Sequence, residues 1–217
     1  MGQKCKHLGA VLTANAQFDG RYEFPLIKNT ENLSLPHVFI PFDKRRKAVD
    51  RKHSFVHFYM HDQYFKQLWR KGCRYVEELR AFGGVIAPDF SLYRDMPLAL
   101  QIYNTYRSRA VGAYFQDQGL CVVPNVRWAD KRSFAFCFDG LELGGIYAIS
   151  THGCMKSVKE RQHFVRGLDA MLERLKPQRI LVHGRMHPRV FAPYDVEFVR
   201  YPSWLEMVKE ARHGRRN

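Results

Sequence analysis

Short apolar runs alternate along this chain with longer segments in which apolar residues recur at helical spacing. The runs are bounded by Gly or Pro, which is typical of strands that are buried on both faces. We predict strands at residues 55–60, 85–87, 121–124, 146–150, 180–182 and 196–199. Alternation of strands and helices favours the α/β class, here with a mostly parallel sheet and flanking helices.

Two segments, residues 97–118 and 158–176, have the pattern of long amphipathic helices. The first ends before Gly119 and the second before Pro177, and both residues are common helix stops. The apolar faces that we expect to pack on the sheet carry Ile102, Tyr106, Phe164, Leu168 and Leu172. Helices are also predicted at residues 62–80, with a break near Gly72, and at residues 204–212. Because strand order is not encoded in this spacing, a doubly wound sheet and a partial TIM-like barrel both fit.

The length of 217 residues predicts a single domain. We divide it into an irregular N-terminal segment (1–52), an α/β core (53–212) and a basic tail (213–217). The cysteines are odd in number and none are spaced as Cys-x-x-Cys, which predicts reduced thiols rather than disulfides (Cys5, Cys73, Cys121, Cys137 and Cys154). No run approaches the roughly 18 apolar residues of a membrane span, and residues 1–10 lack an apolar signal core. We therefore expect a cytoplasmic protein that has no membrane partner.

Ligands of parallel α/β proteins bind at the carboxyl ends of the strands, so the residues that follow each predicted strand are candidates for a site. The predicted catalytic residues are Asp89, Ser150 and His183, because a carboxylate, a hydroxyl and an imidazole together allow proton transfer. The predicted binding residues are Ser91, Asn125, Arg127, Trp128 and Thr151, a set that suits a small anionic ligand. The alternative is that these residues only cap helices and close turns, with Asp89 paired to Arg107 or Arg109.

Three histidines, His53, His57 and His61, are spaced four residues apart. On a helix this spacing would place them on one face, where they could ligate a metal. The residues around His57 predict a strand instead, which would separate the three side chains, so no metal site is predicted. The sequence has neither a phosphate-binding P-loop nor a Gly-x-Gly-x-x-Gly string, and it specifies no cofactor and no oligomeric state.

Basic residues outnumber acidic ones by 14, and nucleic acid is the commonest polyanionic partner of such a chain. The predicted nucleic-acid-binding residues are Lys44, Arg45, Arg46, Lys47, Arg107 and Arg109. The alternative for residues 44–47 is a solvated loop. Because no helix-turn-helix, zinc-finger or RNP signature is present, we expect contacts with phosphates rather than with bases.

Several distinctive strings occur in order, among them PDFSLY at 88–93, YRSR at 106–109, QDQG at 116–119, VPNVRW at 123–128, FCFDG at 136–140 and LVHG at 181–184. With them the chain resembles a domain-of-unknown-function family of bacteria, phages and other mobile elements. Some members of that family are labelled rolling-circle replication proteins. The resemblance spans residues 18–184 and implies a phage or plasmid origin. Rolling-circle initiators of the common type use a His-x-His string, which does not occur in this chain.

Two functions follow from these observations. The first is a nucleic-acid-associated phage or plasmid protein with an accessory role in replication, as the basic charge and the resemblance imply. The alternative is an enzyme that acts on a phosphorylated or nucleotide-like small molecule at the carboxyl edge of the sheet. The sequence leaves open whether the protein is an enzyme.

Overall fold

A computed structural model describes residues 11–30 and 32–214 of the chain. A short antiparallel pair comes first, formed by β1 (Phe18–Asp19) and β2 (Phe24–Pro25). Four parallel strands follow, namely β3 (Val38–Pro41), β4 (Ser54–His57), β5 (Gly84–Ile86) and β6 (Val122–Val123). A second parallel sheet contains β7 (Ile146–Ser150), β8 (Arg179–His183) and β9 (Glu197–Tyr201). The predicted α/β class with a mostly parallel sheet is confirmed.

The two parallel sheets are continuous with each other. Val126 donates its backbone N–H to the Ala148 carbonyl, and Ala148 donates to the Pro124 carbonyl, both at 2.9 Å. The order of the strands from β3 to β9 is therefore the order of the sequence, whereas a doubly wound sheet reverses its order at the centre. Of the two predicted architectures, the partial TIM-like barrel has this order. No backbone pairing joins β3 to β9 within the described ranges, so the sheet does not close into a barrel.

The curvature of the sheet creates a small inner core. Each of the seven parallel strands contributes one buried residue to it, namely Phe39, Phe55, Ile86, Val123, Ala148, Leu181 and Tyr201. The rings of Phe39 and Tyr201, from the first and the last of these strands, stack with their centroids 4.0 Å apart. The inner face of the sheet is thus filled by side chains, as in a barrel.

A larger outer core lies between the sheet and the helices. The helices are α1 (Leu68–Lys71), α2 (Val76–Arg80), α3 (Leu98–Asp117), α4 (Val158–Leu175), α5 (Pro188–Phe191) and α6 (Trp204–Gly214). The predicted break near Gly72 is a single 3₁₀ segment, Gly72–Tyr75, between α1 and α2. Ser157 caps α4 by accepting a hydrogen bond from the Glu160 N–H, which satisfies one of the free donors at the helix start.

Helix α3 differs from its prediction, because the residues that it buries between Leu98 and Arg109 are polar. Ile102 and Tyr106 are only half-buried at the edge of the outer core. The deeply buried residues on this helix include Gln101, Asn104, Thr105, Ser108 and Arg109. Several of these side chains donate hydrogen bonds to backbone carbonyls of the neighbouring loops. Apolar periodicity does not detect a face that is buried for hydrogen bonding.

The N-terminal segment also differs from its prediction, since residues 38–41 form strand β3. Pro36 precedes this edge strand and Pro41 is its last residue, and an edge strand tolerates a residue without an N–H. Among the described residues, the cysteines Cys73, Cys121, Cys137 and Cys154 are free thiols. No described helix combines the length and the apolar character that a membrane crossing requires. Some predictions concern residues outside the described ranges. They are those on Cys5, on the absence of a signal core in residues 1–10, and on the tail residues 215–217.

Candidate functional site

Asp89, which follows β5, is the centre of a hydrogen-bonded network at the carboxyl edge of the sheet. Asn125 donates from Nδ2 to one carboxylate oxygen at 2.9 Å, and Arg127 donates from Nη1 to the other at 2.5 Å. The Asp89 side chain is only 6% exposed, and this burial raises the pKa of its carboxyl group, against the opposing effects of Arg127 and Asn125. A buried carboxylate held in this way fixes the two loops that carry its partners.

Two histidines and a tyrosine stack beside this network. The His183 ring lies 4.5 Å from the His57 ring and 4.8 Å from the Tyr59 ring, measured between centroids. His183 Nδ1 is 3.1 Å from the Ser150 hydroxyl oxygen, so these two groups share a hydrogen bond. Burial lowers the pKa of His183 to about 4 and holds the pKa of His57 well below its usual value. Both imidazoles are therefore neutral at neutral pH, and burial makes each of them a weaker base than a free imidazole.

The stack and the network belong to one site. Burial raises the pKa of Tyr59 well above its usual value, and the negative charge of Asp89 raises it further. The phenol is thus within electrostatic reach of the carboxylate, and it stays protonated. His57 and Tyr59 lie two residues apart on the chain, which turns both toward the inner side of the curved sheet.

Four buried polar atoms of this site have no hydrogen-bond partner in the structure. They are His57 Nε2, Tyr59 Oη, Asn125 Oδ1 and Arg127 Nε, and they make up four of the ten such atoms found in the described part of the chain. Each of them costs about 1–3 kcal/mol if it stays unsatisfied. Because buried polar atoms are nearly always paired, these four atoms are candidates for hydrogen bonds to water or to a ligand at this edge of the sheet.

A cavity of about 260 Å³ opens next to Asp89 and Arg127. Aromatic side chains form part of its wall, namely Tyr93, Trp128 and Phe164. Its polar lining includes Ser150, Arg94 and two further histidines, His152 and His163. The cavity therefore offers ring surfaces for stacking together with donors and acceptors for hydrogen bonds.

Comparison with known proteins places the chain in a family. The family model described as "Domain of unknown function (DUF4417)" matches residues 16–202, a range that includes all seven parallel strands and the whole site. This chain belongs to the DUF4417 family. The resemblance to a domain-of-unknown-function family that the sequence predicted is thereby confirmed.

The DUF4417 chain is similar to phage proteins. It is 33% identical over 186 residues to a "Gene 1 protein" of Mycobacterium phage L5, a match that covers 85% of this chain and 80% of the relative. It is 36% identical over 165 residues to a "Gene 1 protein" of Mycobacterium phage D29, which covers 76% of this chain and 61% of that relative. No solved structure matches the chain significantly. The chain is a phage-type protein with an α/β fold.

The structure brings most of the predicted site residues of the DUF4417 chain to one edge of the sheet. Asp89, Arg127, Trp128 and Ser150 line the cavity, and Asn125 and His183 bond to them directly. Thr151 donates from its hydroxyl to the His183 carbonyl at 3.3 Å, which braces the end of β8.

Ser91 has a different place from the other predicted binding residues. Its hydroxyl donates to the Asp62 carboxylate at 2.7 Å and its backbone N–H points to the same group. These contacts hold the loop that carries Asp89. Sequence reasoning missed His57 and Tyr59. The alternation of residues that starts at Phe55 in β4 would have indicated them, since inward residues recur every second position.

Three of the arginines that were predicted to bind nucleic acid are engaged inside the protein. Arg109 is 2% exposed and donates to the carbonyls of Asp139, Asn125 and Cys137. Arg107 lies over the Phe90 ring at 4.1 Å. Arg45 pairs with Glu78 at 2.8 Å and covers the Phe42 ring at 4.2 Å. These guanidinium groups support the fold and offer little surface to a phosphate backbone.

The remaining residues of the basic run lie at the surface. Lys44 is half-buried and pairs with Asp43 at 2.8 Å. Arg46, with 80% of its side chain exposed, makes only a long contact with Glu78, and Lys47 is exposed as well. Arg46 and Lys47 are therefore the members of the predicted set that are most open to a polyanion.

Proposed function

We propose that this phage-type protein binds a small nucleotide-like molecule at the carboxyl edge of its curved sheet and acts on it by proton transfer. The observation that carries the proposal is a cavity with aromatic walls that is lined by Asp89, Arg127 and Ser150 and adjoins the hydrogen-bonded network of Asp89. Its volume of about 260 Å³ is slightly below the range of about 300–1,000 Å³ typical of ligand sites. A nucleobase or a mononucleotide has the ring and the hydrogen-bonding groups that this lining can match.

The charges around the cavity favour a ligand that is recognised by hydrogen bonds rather than by charge alone. Arg127 is paired with Asp89, and Arg94 is paired with Glu160 at 2.7 Å. The charge of each guanidinium is thus partly neutralised. Its remaining N–H groups contribute more to the orientation of a bound ligand than to its electrostatic attraction. Arg127 lines the cavity and a third of its side chain is exposed, so it is our candidate for the group that binds the anionic part of the ligand.

The hydrogen-bonded pair of Ser150 and His183 is our candidate for the reactive group. A hydroxyl within 3.1 Å of a neutral imidazole has the arrangement of a nucleophile and its general base. Asp89 is held too tightly by Asn125 and Arg127 to move a proton easily, so we assign it the role of orienting Arg127.

The binding step can be tested with thermal shift and calorimetry. Suitable probes are the common ribonucleoside monophosphates, the corresponding triphosphates and inorganic phosphate. Arg127→Gln is expected to weaken binding by at least about tenfold, because a charge-assisted hydrogen bond is worth about 1.5–3 kcal/mol. Arg174→Gln is the matched control, since Arg174 pairs with Asp139 near the far end of α4. Failure of every probe to bind, or equal losses in the two variants, would contradict the proposal.

The chemical step needs a separate test. For any nucleotide that binds, Ser150→Ala and His183→Gln are expected to keep affinity within a few fold and to abolish turnover, measured by chromatography of the products. If both variants turn over the ligand at the wild-type rate, the site binds its ligand without the chemistry that we assign to it.

Association with DNA or RNA, in an accessory role in replication, is a second candidate function. It is supported by the excess of 14 basic residues and by exposed cations such as Arg46 and Lys47. The two functions are compatible, because a nucleotide site at the edge of a sheet can also receive the end of a nucleic-acid strand.

A further inference from the structure

Two exposed histidines and an aspartate meet at the amino edge of the sheet, opposite the candidate site. His37 directly precedes β3, and His53 directly precedes β4. The parallel register pairs Val38 with Ser54, so His37 and His53 lie side by side. Backbone pairing continues to this point, since His37 donates its N–H to the His53 carbonyl at 2.8 Å.

Asp50 lies between the two imidazoles. One of its oxygens is 2.8 Å from His53 Nδ1 and 3.9 Å from His37 Nδ1. The two rings stack with their centroids 4.8 Å apart and their planes 14° from parallel. One ligand atom from each of the three residues lies within 4.8 Å of the other two. Small side-chain rotations would bring such a set to the distances of about 2.0–2.2 Å from a common centre that zinc ligands adopt.

The position of Asp50 is fixed by its own loop. His53 donates its backbone N–H to the Asp50 carboxylate at 3.3 Å, and the Ser54 hydroxyl bonds to the Asp50 carbonyl. A turn of this kind accounts for the contact between Asp50 and His53. It does not account for a second imidazole on the neighbouring strand.

We propose that His37, Asp50 and His53 form a surface binding site for a divalent transition metal such as Zn²⁺. Two imidazoles and one carboxylate are ligands that Zn²⁺, Ni²⁺ and Cu²⁺ accept, whereas Mg²⁺ prefers a shell of oxygen atoms. The side chains are 73%, 53% and 59% exposed in the order His37, Asp50 and His53, which leaves room for water at the remaining positions. A bound ion would tie β3 to β4 and hold the end of the connection at residues 48–53.

The site is independent of the proposed nucleotide site, because it lies at the other ends of the same strands. It also corrects the way in which the histidine spacing is interpreted. His53 and His57 occupy opposite ends of β4, and the partner of His53 comes from an adjacent strand rather than from the next turn of a helix.

The test is a calorimetric titration of the chelator-treated full chain with Zn²⁺ at neutral pH. We expect the wild type to bind about one Zn²⁺ that Mg²⁺ does not displace. His37→Ala, His53→Ala and Asp50→Asn should each weaken binding by at least about tenfold. His61→Ala is the control, because His61 is exposed and lies outside this cluster. Titration with Co²⁺ gives a second readout, since its visible spectrum reports nitrogen ligands directly.

The outcomes separate cleanly. Loss of Zn²⁺ binding and of the Co²⁺ spectrum in the double variant His37→Ala/His53→Ala, with an unchanged His61→Ala variant, supports the site. Identical titrations of the wild type and the double variant would overturn it, and so would no binding by the wild type. Circular dichroism of the metal-free proteins checks folding, and all variants should match the wild type because the three side chains are largely exposed.

Discussion

At the scale of single residues, Arg109 shows how a charged side chain can serve the fold instead of a partner. Its Nε, Nη1 and Nη2 atoms donate to the carbonyls of Asp139, Asn125 and Cys137, at 2.9, 3.1 and 2.7 Å. One of these carbonyls belongs to Asn125, whose side chain holds Asp89. Arg109 therefore positions the candidate site from behind. In the sequence it looked the same as any other member of the basic set.

His183 carries a prediction about pH. In the unfolded chain its pKa is about 6.5, and in the folded chain burial lowers the pKa to about 4. Between these values the unfolded chain binds a proton that the folded chain does not, so the free energy of unfolding falls as pH drops through this window. The contribution of His183 is at most about 3 kcal/mol. Urea unfolding of wild type and His183→Gln between neutral pH and about pH 4 measures it.

The variant should show a shallower decline of the unfolding free energy than the wild type over this window. The difference between the two curves reports His183 together with its coupling to the adjacent His57, whereas the carboxylates titrate in both proteins. His61→Gln, at an exposed position, should follow the wild-type curve. Parallel curves for wild type and His183→Gln would mean that the imidazole is not held neutral by burial.

How far the site was predictable depended on what each residue does. The sequence predicts Asp89, Asn125, Arg127 and Ser150 as site residues because they follow strands, and strand ends meet at one edge. His57 and Tyr59 were missed, because the alternation from Phe55 indicates the face that they share but not the curvature that brings His183 to that face. The sheet must bend before the inner face has room for His183 to stack on them.

At the scale of elements, α4 buries apolar residues, whereas the polar residues of α3 support the neighbouring loops through hydrogen bonds. Helix α4 is a conventional amphipathic helix, and its apolar spacing was enough to predict both its bounds and its buried residues Phe164 and Leu168. Helix α3 was found from its length and its stop, and Ile102 and Tyr106 pack against the outer core, but its buried polar residues were not predicted. These polar residues bind loop carbonyls, and hydrogen-bonding demand in a neighbouring loop leaves no periodic trace in the sequence.

Gly167 on α4 allows the helix to lie directly against the cavity wall. A Cβ atom at this position would lie 2.0 Å from Nε1 of Trp128. Ala is a better helix former than Gly by about 1 kcal/mol, yet Gly167→Ala is expected to lower the free energy of unfolding by about 1–3 kcal/mol, the usual cost of overpacking. It should also weaken nucleotide binding, since Trp128 must move. Urea unfolding and the calorimetric assay check both effects.

Lys159→Ala is a suitable control on the same helix, because Lys159 is exposed and should change stability by less than about 0.5 kcal/mol. If Gly167→Ala instead stabilised the protein, Trp128 would not be packed against α4 in the way described here.

At the scale of the whole molecule, the charge excess predicts how nucleic acid would bind. If phosphate contacts dominate, the logarithm of affinity should fall linearly with the logarithm of salt concentration, measured by fluorescence anisotropy between about 50 and 200 mM salt. Arg46→Ala/Lys47→Ala should weaken binding to unrelated sequences equally and should reduce the slope. The matched control Lys209→Ala/Lys176→Ala removes the same charge elsewhere on the chain.

Equal losses of nucleic-acid affinity in the two double variants would show that binding depends on net charge and not on a defined surface. Absence of binding at the lowest salt concentration would remove the nucleic-acid function and leave the nucleotide site as the remaining candidate.

The stacking of Phe39 on Tyr201 also has a consequence for the time course of folding. The inner core receives one residue from each strand in turn, and the stack of Phe39 on Tyr201 joins its first strand to its last. During translation β3 is synthesised early and β9 late. The inner core of the nascent chain therefore stays incomplete for most of the synthesis. Contacts between residues so distant in sequence form slowly. The carboxyl edge, where His57 meets His183, can therefore reach its final geometry only after nearly the whole chain has been made.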